Sequence, residues 1–189
     1  MIKLARAACP NPIQLKSNYK FPANKVALKE SCNNKCMYCE SEFDSTDYGD
    51  VEHIKPKSLF PALEFEWDNL GYSCVKCNRE NKNDEWDVAL INPFVDDPSD
   101  YMVAIGAILW PKNLSTRGQV SIDIIGLNRI QLIMKRSQRL VDLGQLISRY
   151  NCMQDGAQKR AIRNQILTEM QPSIEFSFAK KAFVDQVLC

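Results

Sequence analysis

Two short cysteine pairs, Cys36-Met37-Tyr38-Cys39 and Cys74-Val75-Lys76-Cys77, constrain this chain more than any other feature. A two-residue spacer closes into a tight knuckle, so both thiolates of a pair can face one tetrahedral zinc ion at about 2.3 Å. Together the pairs supply a complete four-cysteine set. The 34 residues between them exceed the span of a simple zinc ribbon, so the staple must enclose further structure. A redox dithiol is the rival reading, but it uses one pair and leaves the other idle. Cys32 precedes Cys36 by a three-residue gap and could compete as a ligand. Cys9, Cys152 and Cys189 lack metal-like spacing and read as packing or surface residues.

The remaining cysteines raise the question of compartment. The opening MIKLARAACPNP has two basic residues but no apolar stretch long enough for a secretory leader, so a disulfide framework is not expected and a cytoplasmic location is. No apolar run reaches the roughly 18 residues that a membrane helix needs, and no membrane partner is expected. With 189 residues, 45% of them apolar and 25% charged, the chain can bury a substantial core. The formal net charge of +1 hides an asymmetry: from Asn113 onward there are 11 Lys+Arg against 6 Asp+Glu, a local excess of +5. Such a half could lie along a phosphate backbone or be an ordinary solvated helix face.

Between the knuckles, residues Asp47 to Pro56 predict a turn at Gly49-Asp50 and then a strand Val51–Lys55 ended by Pro56. Residues Pro61 to Ser73 predict a loop around Trp67-Asp68-Asn69, with Leu70 and Tyr72 leading back into the second knuckle. After Cys77 a helix is expected, with Asn78 near its start. The order is knuckle, strand, loop, return strand, knuckle, helix. Zinc is then structural, standing in for a core too small to hold itself. The strand carries His53, the sole histidine of the chain.

Glu52-His53, Asn69 in WDNL and Asn78 in CNRENK, bracketed by the two cysteine pairs, resemble the HNH endonuclease motif in its zinc-stapled form. The resemblance runs from about Lys35 to Lys82 and implies an α+β class with a ββα-metal, treble-clef-like core, followed by a C-terminal helical region. Weaker similarity in MIKLARAACPNP, INPFVDDPSDY and IDIIGLNR resembles the PtuB-type HNH subunits of Septu anti-phage systems, which also occur beside some retrons. That resemblance implies a nucleic-acid substrate, a role in defence, an ABC/SMC-like ATPase partner of the PtuA type, and in some members retron components. Composition and spacing imply neither the defence role nor the partner.

The chemistry is legible in the residue types. Phosphodiester hydrolysis needs an activated water and stabilisation of charge on the leaving oxygen. An imidazole accepts a proton at neutral pH, and with zinc satisfied by Cys36, Cys39, Cys74 and Cys77, His53 is free to be that base. Mg²⁺ or a similar divalent ion prefers oxygen donors and keeps several waters, so one carboxylate and one carboxamide suffice. Glu52 and Asn78 fit, and the resemblance implies those roles for them, with Asp50 the next candidate ligand. Adjacent strand residues point to opposite faces, so Glu52 and His53 would share a site only through local twist or a bulge near Pro56. Asn69 suits a loop-holding role, which the resemblance also implies. Lys55, Lys57, Arg79 and Lys82 are candidate phosphate contacts. Trp67 and Trp86 could stack on bases or pack the small core. DNA is the favoured substrate; RNA such as tRNA, and a non-catalytic zinc adaptor that only binds nucleic acid, are the alternatives.

The rest divides coarsely. Residues 1–30 form an N-terminal segment with a helix over Phe21–Glu30 and Pro22 at its first position. The zinc module spans 31–95. Residues 96–189 hold a small hairpin over Tyr101–Trp110, interrupted by Gly106, and C-terminal helices, packed with the module as one compact domain. A long helix is expected from an Asn128 N-cap, with Ile130, Ile133, Met134, Leu140, Val141 and Ile147 mainly in the core. Further helices should follow Asp155-Gly156 and Ser177, the last with Phe178, Ala182, Phe183 and Val187 on one face.

Overall fold

The computed structural model describes residues 1–43 and 48–188; Asp47, at the start of the expected turn, and Cys189 lie outside them. A short helix α1 (Pro12–Leu15) precedes α2 (Pro22–Ser31). Proline sits at the start of α2 because its missing N–H would find no partner in the first turn anyway. Asn33 and Asn34 then take left-handed backbone, φ 55° and 58°, and reverse the chain into the first knuckle. Asparagine tolerates this region better than most residues.

Strand β1 (Gly49–His53) pairs antiparallel with β2 (Leu70–Cys74), in unbroken register from Gly49 opposite Cys74 to His53 opposite Leu70. Gly49 and Asp50 therefore open the strand rather than forming the expected turn. The cause is Tyr72, whose hydroxyl donates to the Gly49 carbonyl at 2.7 Å and whose ring lies 2.2 Å from where a Gly49 Cβ would stand. The strand also stops two residues early, because Asn69 captures the backbone of Lys55. A π-helix (Lys76–Lys82) starts within the second knuckle and completes the ββα unit.

Beyond it lies a hairpin of β3 (Met102–Ile105) and β4 (Ile108–Pro111), with Gly106 at φ 56° in its turn. Then comes α3 (Thr116–Ile125), a helix the apolar pattern did not announce. It is capped by the Ser115 side chain, which accepts from Gly118 N, and is ended by left-handed Gly126. The long helix α4 (Ile130–Cys152) is preceded by Arg129, not by an Asn128 cap. Asn128 is spent elsewhere: its amide accepts from Leu109 N at 2.9 Å and donates to Leu109 O at 2.8 Å, tying β4 to the start of α4. The expected core stripe of α4 is rotated as well. Leu132, Arg136, Leu140, Leu143 and Ile147 are buried, while Ile130, Met134 and Val141 are 60%, 66% and 53% exposed. Helices α5 (Ala157–Glu169) and α6 (Ser177–Val187) close the chain, and α6 buries Ala179, Lys180 and Val184. No helix among the described residues is long and apolar enough to cross a membrane.

One apolar cluster runs through Leu4, Leu15 and Leu28, both knuckles, Leu70, Ile91, Met102, Ile122, Ile125 and Phe176. A smaller one joins α4, α5 and α6 through Leu143, Ile147, Ile162, Ile166 and Val184. A buried charge network knits Met1 and the start of α6 to the first knuckle. Glu40, at φ 63°, receives the Met1 amine at 2.7 Å, Lys35 Nζ at 3.2 Å and the Ser177 hydroxyl at 2.7 Å. Burial alone would raise this carboxyl, but the Met1 amine and Lys35 outweigh it and bring its pKa to about 2.

Candidate active site

The four sulfurs of Cys36, Cys39, Cys74 and Cys77 lie within 4.8 Å of one another, all buried, and Cys39 Sγ stands 3.9 Å from Cys74 Sγ. A tetrahedron with 2.3 Å Zn–S bonds has edges of about 3.8 Å, so the cluster fits zinc in donor type and in size. Cys32 does not compete. It is buried outside this group, and burial pushes its thiol up to about 12, which keeps it protonated. Four thiolates around a Zn²⁺ ion would leave a net charge of −2 in the interior. Arg129 answers it from the start of α4, donating from Nη1 to Cys77 Sγ at 3.5 Å. Burial works against this cation, but the neighbouring sulfurs, Cys77 first, hold its pKa above the ordinary arginine value.

The second knuckle ends β2 and starts the π-helix, so a metal ion held by the four cysteines would fix the helix against the hairpin. On this frame lies a cleft of ≈ 240 Å³ whose walls include Tyr19, Glu52, His53, Lys57, Asn78 and Arg79. The strand has no bulge, contrary to what a shared site was expected to require. Glu52 and His53 alternate to opposite faces in the ordinary way, Glu52 toward the π-helix and His53 toward the 60–66 loop. Both nevertheless reach the cleft, because it opens at the end of the strand.

His53 is half-buried and tightly directed. Its Nε2 lies 3.0 Å from the Glu64 carbonyl. A carbonyl only accepts, so Nε2 carries the proton and Nδ1 keeps its lone pair. The Tyr19 ring meets the imidazole edge-on, with centroids 4.7 Å apart. Burial is the main influence on the ring and lowers its pKa below 6.5; Lys57 and Lys82 add to this, while Glu64 opposes it. Burial therefore favours the neutral imidazole.

Asn69 holds the loop that supplies Glu64. Its Oδ1 accepts from Lys55 N at 2.8 Å, and its Nδ2 donates to Lys55 O at 3.0 Å and Leu63 O at 3.2 Å. Asn69→Ala leaves these part-buried backbone groups without that partner. We expect a loss of roughly 2–3 kcal/mol in stability, with bound zinc unchanged, measured by urea denaturation and metal analysis. Full wild-type stability would show that the loop is held by other contacts.

Glu52 is 2% exposed and is met by Lys82 Nζ at 2.8 Å and the Tyr38 hydroxyl at 3.2 Å, both on Oε1. Burial holds its carboxyl above the ordinary value, and Lys82 and Tyr38 offset only part of that rise. Oε2 takes no hydrogen bond among the described residues. Gly71 lies opposite Glu52 in the ladder and leaves room there for Met37, next to Tyr38 in the knuckle. Asn78, on the π-helix, donates weakly from Nδ2 to Val51 O at 3.4 Å, which leaves its carboxamide oxygen for another partner. Glu52 and Asn78 thus line one cleft, each with a side-chain oxygen not engaged by another described residue, which fits the small protein share of an Mg²⁺ shell. Asp50 is no substitute: Lys20 at 2.6 Å, Arg79 at 2.9 Å and Lys25 at 3.7 Å already converge on it.

The four candidate phosphate contacts do not form one set. Lys82 is 1% exposed and cannot reach solvent phosphates, since its ammonium is committed to Glu52 and to the His53 carbonyl at 3.0 Å. Lys57 pairs with Glu64 at 2.9 Å on the cleft wall, and exposed Arg79 leans on Asp50. Lys55 Nζ sits over the Phe60 and Trp86 rings, at 5.6 and 5.5 Å. Trp67 and Trp86 are partly buried against the core; Trp67 Nε1 donates to Ala7 O at 2.9 Å, and Trp86 meets the Phe60 ring edge-on. The residue that sequence patterns missed is Tyr19, together with Lys20 at the cleft wall. They arrive from the N-terminal segment, and no local motif marks them.

The HNH endonuclease family model matches residues 36–84, a span that holds all four zinc-type cysteines, Glu52, His53, Asn69 and Asn78. The Septu protein PtuB of Bacillus thuringiensis is 32% identical over 171 residues, covering 82% of this chain and 66% of that protein. The Septu protein PtuB of Bacillus mycoides (strain KBAB4) is 31% identical over 157 residues, covering 66% of this chain and 53% of that protein. A protein of Vibrio cholerae serotype O1 biovar El Tor named "Retron Vc95 putative HNH endonuclease" is 31% identical over 120 residues, covering 56% of this chain and 57% of that protein. The chain spans between about half and two thirds of the length of these relatives.

Proposed function

Because the chain belongs to the HNH endonuclease family, we propose that it hydrolyses phosphodiester bonds of DNA in anti-phage defence, in the cytoplasm and together with an ABC/SMC-like ATPase subunit. The observation that carries the chemistry is the placement of His53: its Nε2 is directed by the Glu64 carbonyl at 3.0 Å, beside a cleft of cationic and oxygen-donor residues, and burial favours the uncharged ring. Similarity to Septu PtuB proteins and to a retron HNH protein along much of the chain supports the defence setting and the partner.

In this reading His53 Nδ1 takes the proton of the attacking water, and the Glu64 carbonyl favours the imidazolium that results. Lys57 and Arg79 on the cleft wall draw in the phosphates on either side of the cut. Glu52 and Asn78 would hold the divalent ion, which when bound supplies the positive charge that the phosphate and the leaving oxygen need. The products are a 5′-phosphate and a 3′-hydroxyl.

The test is cleavage of supercoiled DNA and of total tRNA, in parallel, with Mg²⁺ and with and without the ATPase subunit. DNA nicking or cutting supports the proposal. Cleavage of tRNA alone would move the same site to RNA, and intact polymers in every arm would leave a zinc module that only binds. The pH profile gives a second check. Catalysis needs neutral His53, so kcat/KM should rise with pH and level off, with its midpoint below the ordinary imidazole value of 6.5 because burial disfavours the charged ring. A midpoint above that value would contradict the assigned base.

A further inference from the structure

Lys82 has no solvent role, and a buried ammonium is costly unless its partners are well placed. Its two partners are adjacent residues: the Glu52 carboxylate at 2.8 Å and the His53 carbonyl at 3.0 Å. It also ends the π-helix that carries Asn78. One side chain therefore ties the helix to the strand at the point where the three candidate reacting groups meet. By holding Oε1 of Glu52, with Tyr38 on the same oxygen, it leaves Oε2 as the oxygen that can serve the cleft.

We infer that Lys82 is a positioning residue, which sets the orientation of Glu52 relative to His53 and Asn78 without touching substrate; this rests on the reading of Glu52, His53 and Asn78 given above. A phosphate-binding lysine and a positioning lysine predict different kinetics. A phosphate contact acts on affinity and its salt dependence. A buried clamp acts on the geometry of the reacting groups, where a displacement of about 1 Å can cost on the order of 100-fold in rate.

The test compares wild type, Lys82→Met, Glu52→Gln and the double variant in a DNA cleavage assay with Mg²⁺ and the ATPase subunit, after zinc content has verified folding. The expected result is a kcat lower by about 100-fold in Lys82→Met, with KM and its salt dependence unchanged. In the Glu52→Gln background the same substitution should add little, because Lys82 acts through that carboxylate. A raised KM with kcat retained would make Lys82 a substrate contact, and losses that multiply in the double variant would make it a structural residue independent of Glu52; either overturns the inference. If Lys82→Met loses zinc, Tyr38→Phe removes the other Oε1 contact and should show a smaller kcat loss with the same dependence on Glu52. An additive Tyr38→Phe effect would overturn the inference equally. Should Glu52→Gln itself cleave like wild type, the reading of the site has failed, and that result is distinct from a failure of Lys82.

Discussion

Substitution of Cys74 by serine is expected to release zinc and unfold the ββα unit in a single step. Cys74 closes β2 and begins the second knuckle, so its sulfur links the strand, the π-helix and, across 3.9 Å, the first knuckle at Cys39. Structural zinc contributes about 10–16 kcal/mol of apparent folding free energy in small zinc-finger peptides. That is as large as the whole stability of an ordinary domain, about 5–15 kcal/mol. The apolar cluster that includes both knuckles also reaches Leu28, Ile91 and Ile125, so the loss spreads beyond the staple. Metal analysis should show one zinc per wild-type chain and none in the variant, and far-UV circular dichroism should show loss of structure at room temperature. A soluble, zinc-free, fully folded variant would remove the structural role of the metal.

The staple was legible because ligand type and spacing are local properties, and thiolate chemistry requires little else. The return strand and a helix after the second knuckle were legible for the same reason, since β2 runs into that knuckle and the helix starts from it; the helix's π form and its end at Lys82 were not. Direction into or out of the core was not. Lys82 reads as a solvent-facing cation until Glu52 is known to lie beneath it. Tyr19 stands 34 positions before His53 in the chain, so only tertiary folding brings its ring to the imidazole. Asn128 has the side chain of a good helix cap, yet a tertiary contact with Leu109 claims it. The exposed apolar residues of α4 obey helical spacing as well as the buried ones do, since periodicity gives a face and not its partner.

The largest effect on function is expected at His53. His53→Ala should lower turnover by roughly 10²–10⁴-fold, the usual contribution of a general base, while zinc content and folding stay near wild type. The ring is half-buried, contacts Tyr19 edge-on and makes one hydrogen bond to the Glu64 carbonyl, so its removal takes little packing with it. The loop it meets stays pinned by Asn69, which does not depend on the imidazole. The readouts are single-turnover cleavage and thermal unfolding on the same preparation. Equal rates for the two proteins would sink the assignment, and a large drop in melting temperature would make it a structural histidine instead.

The central claim is that a zinc-held hairpin directs His53 to activate water against a phosphodiester. Its most direct test is the chemistry of the ends left by zinc-replete protein acting on DNA with Mg²⁺, compared between wild type and His53→Ala. The expected result is cleavage that depends on His53 and leaves 5′-phosphate and 3′-hydroxyl ends. Ends of the opposite polarity, or identical cleavage by both proteins, would contradict it.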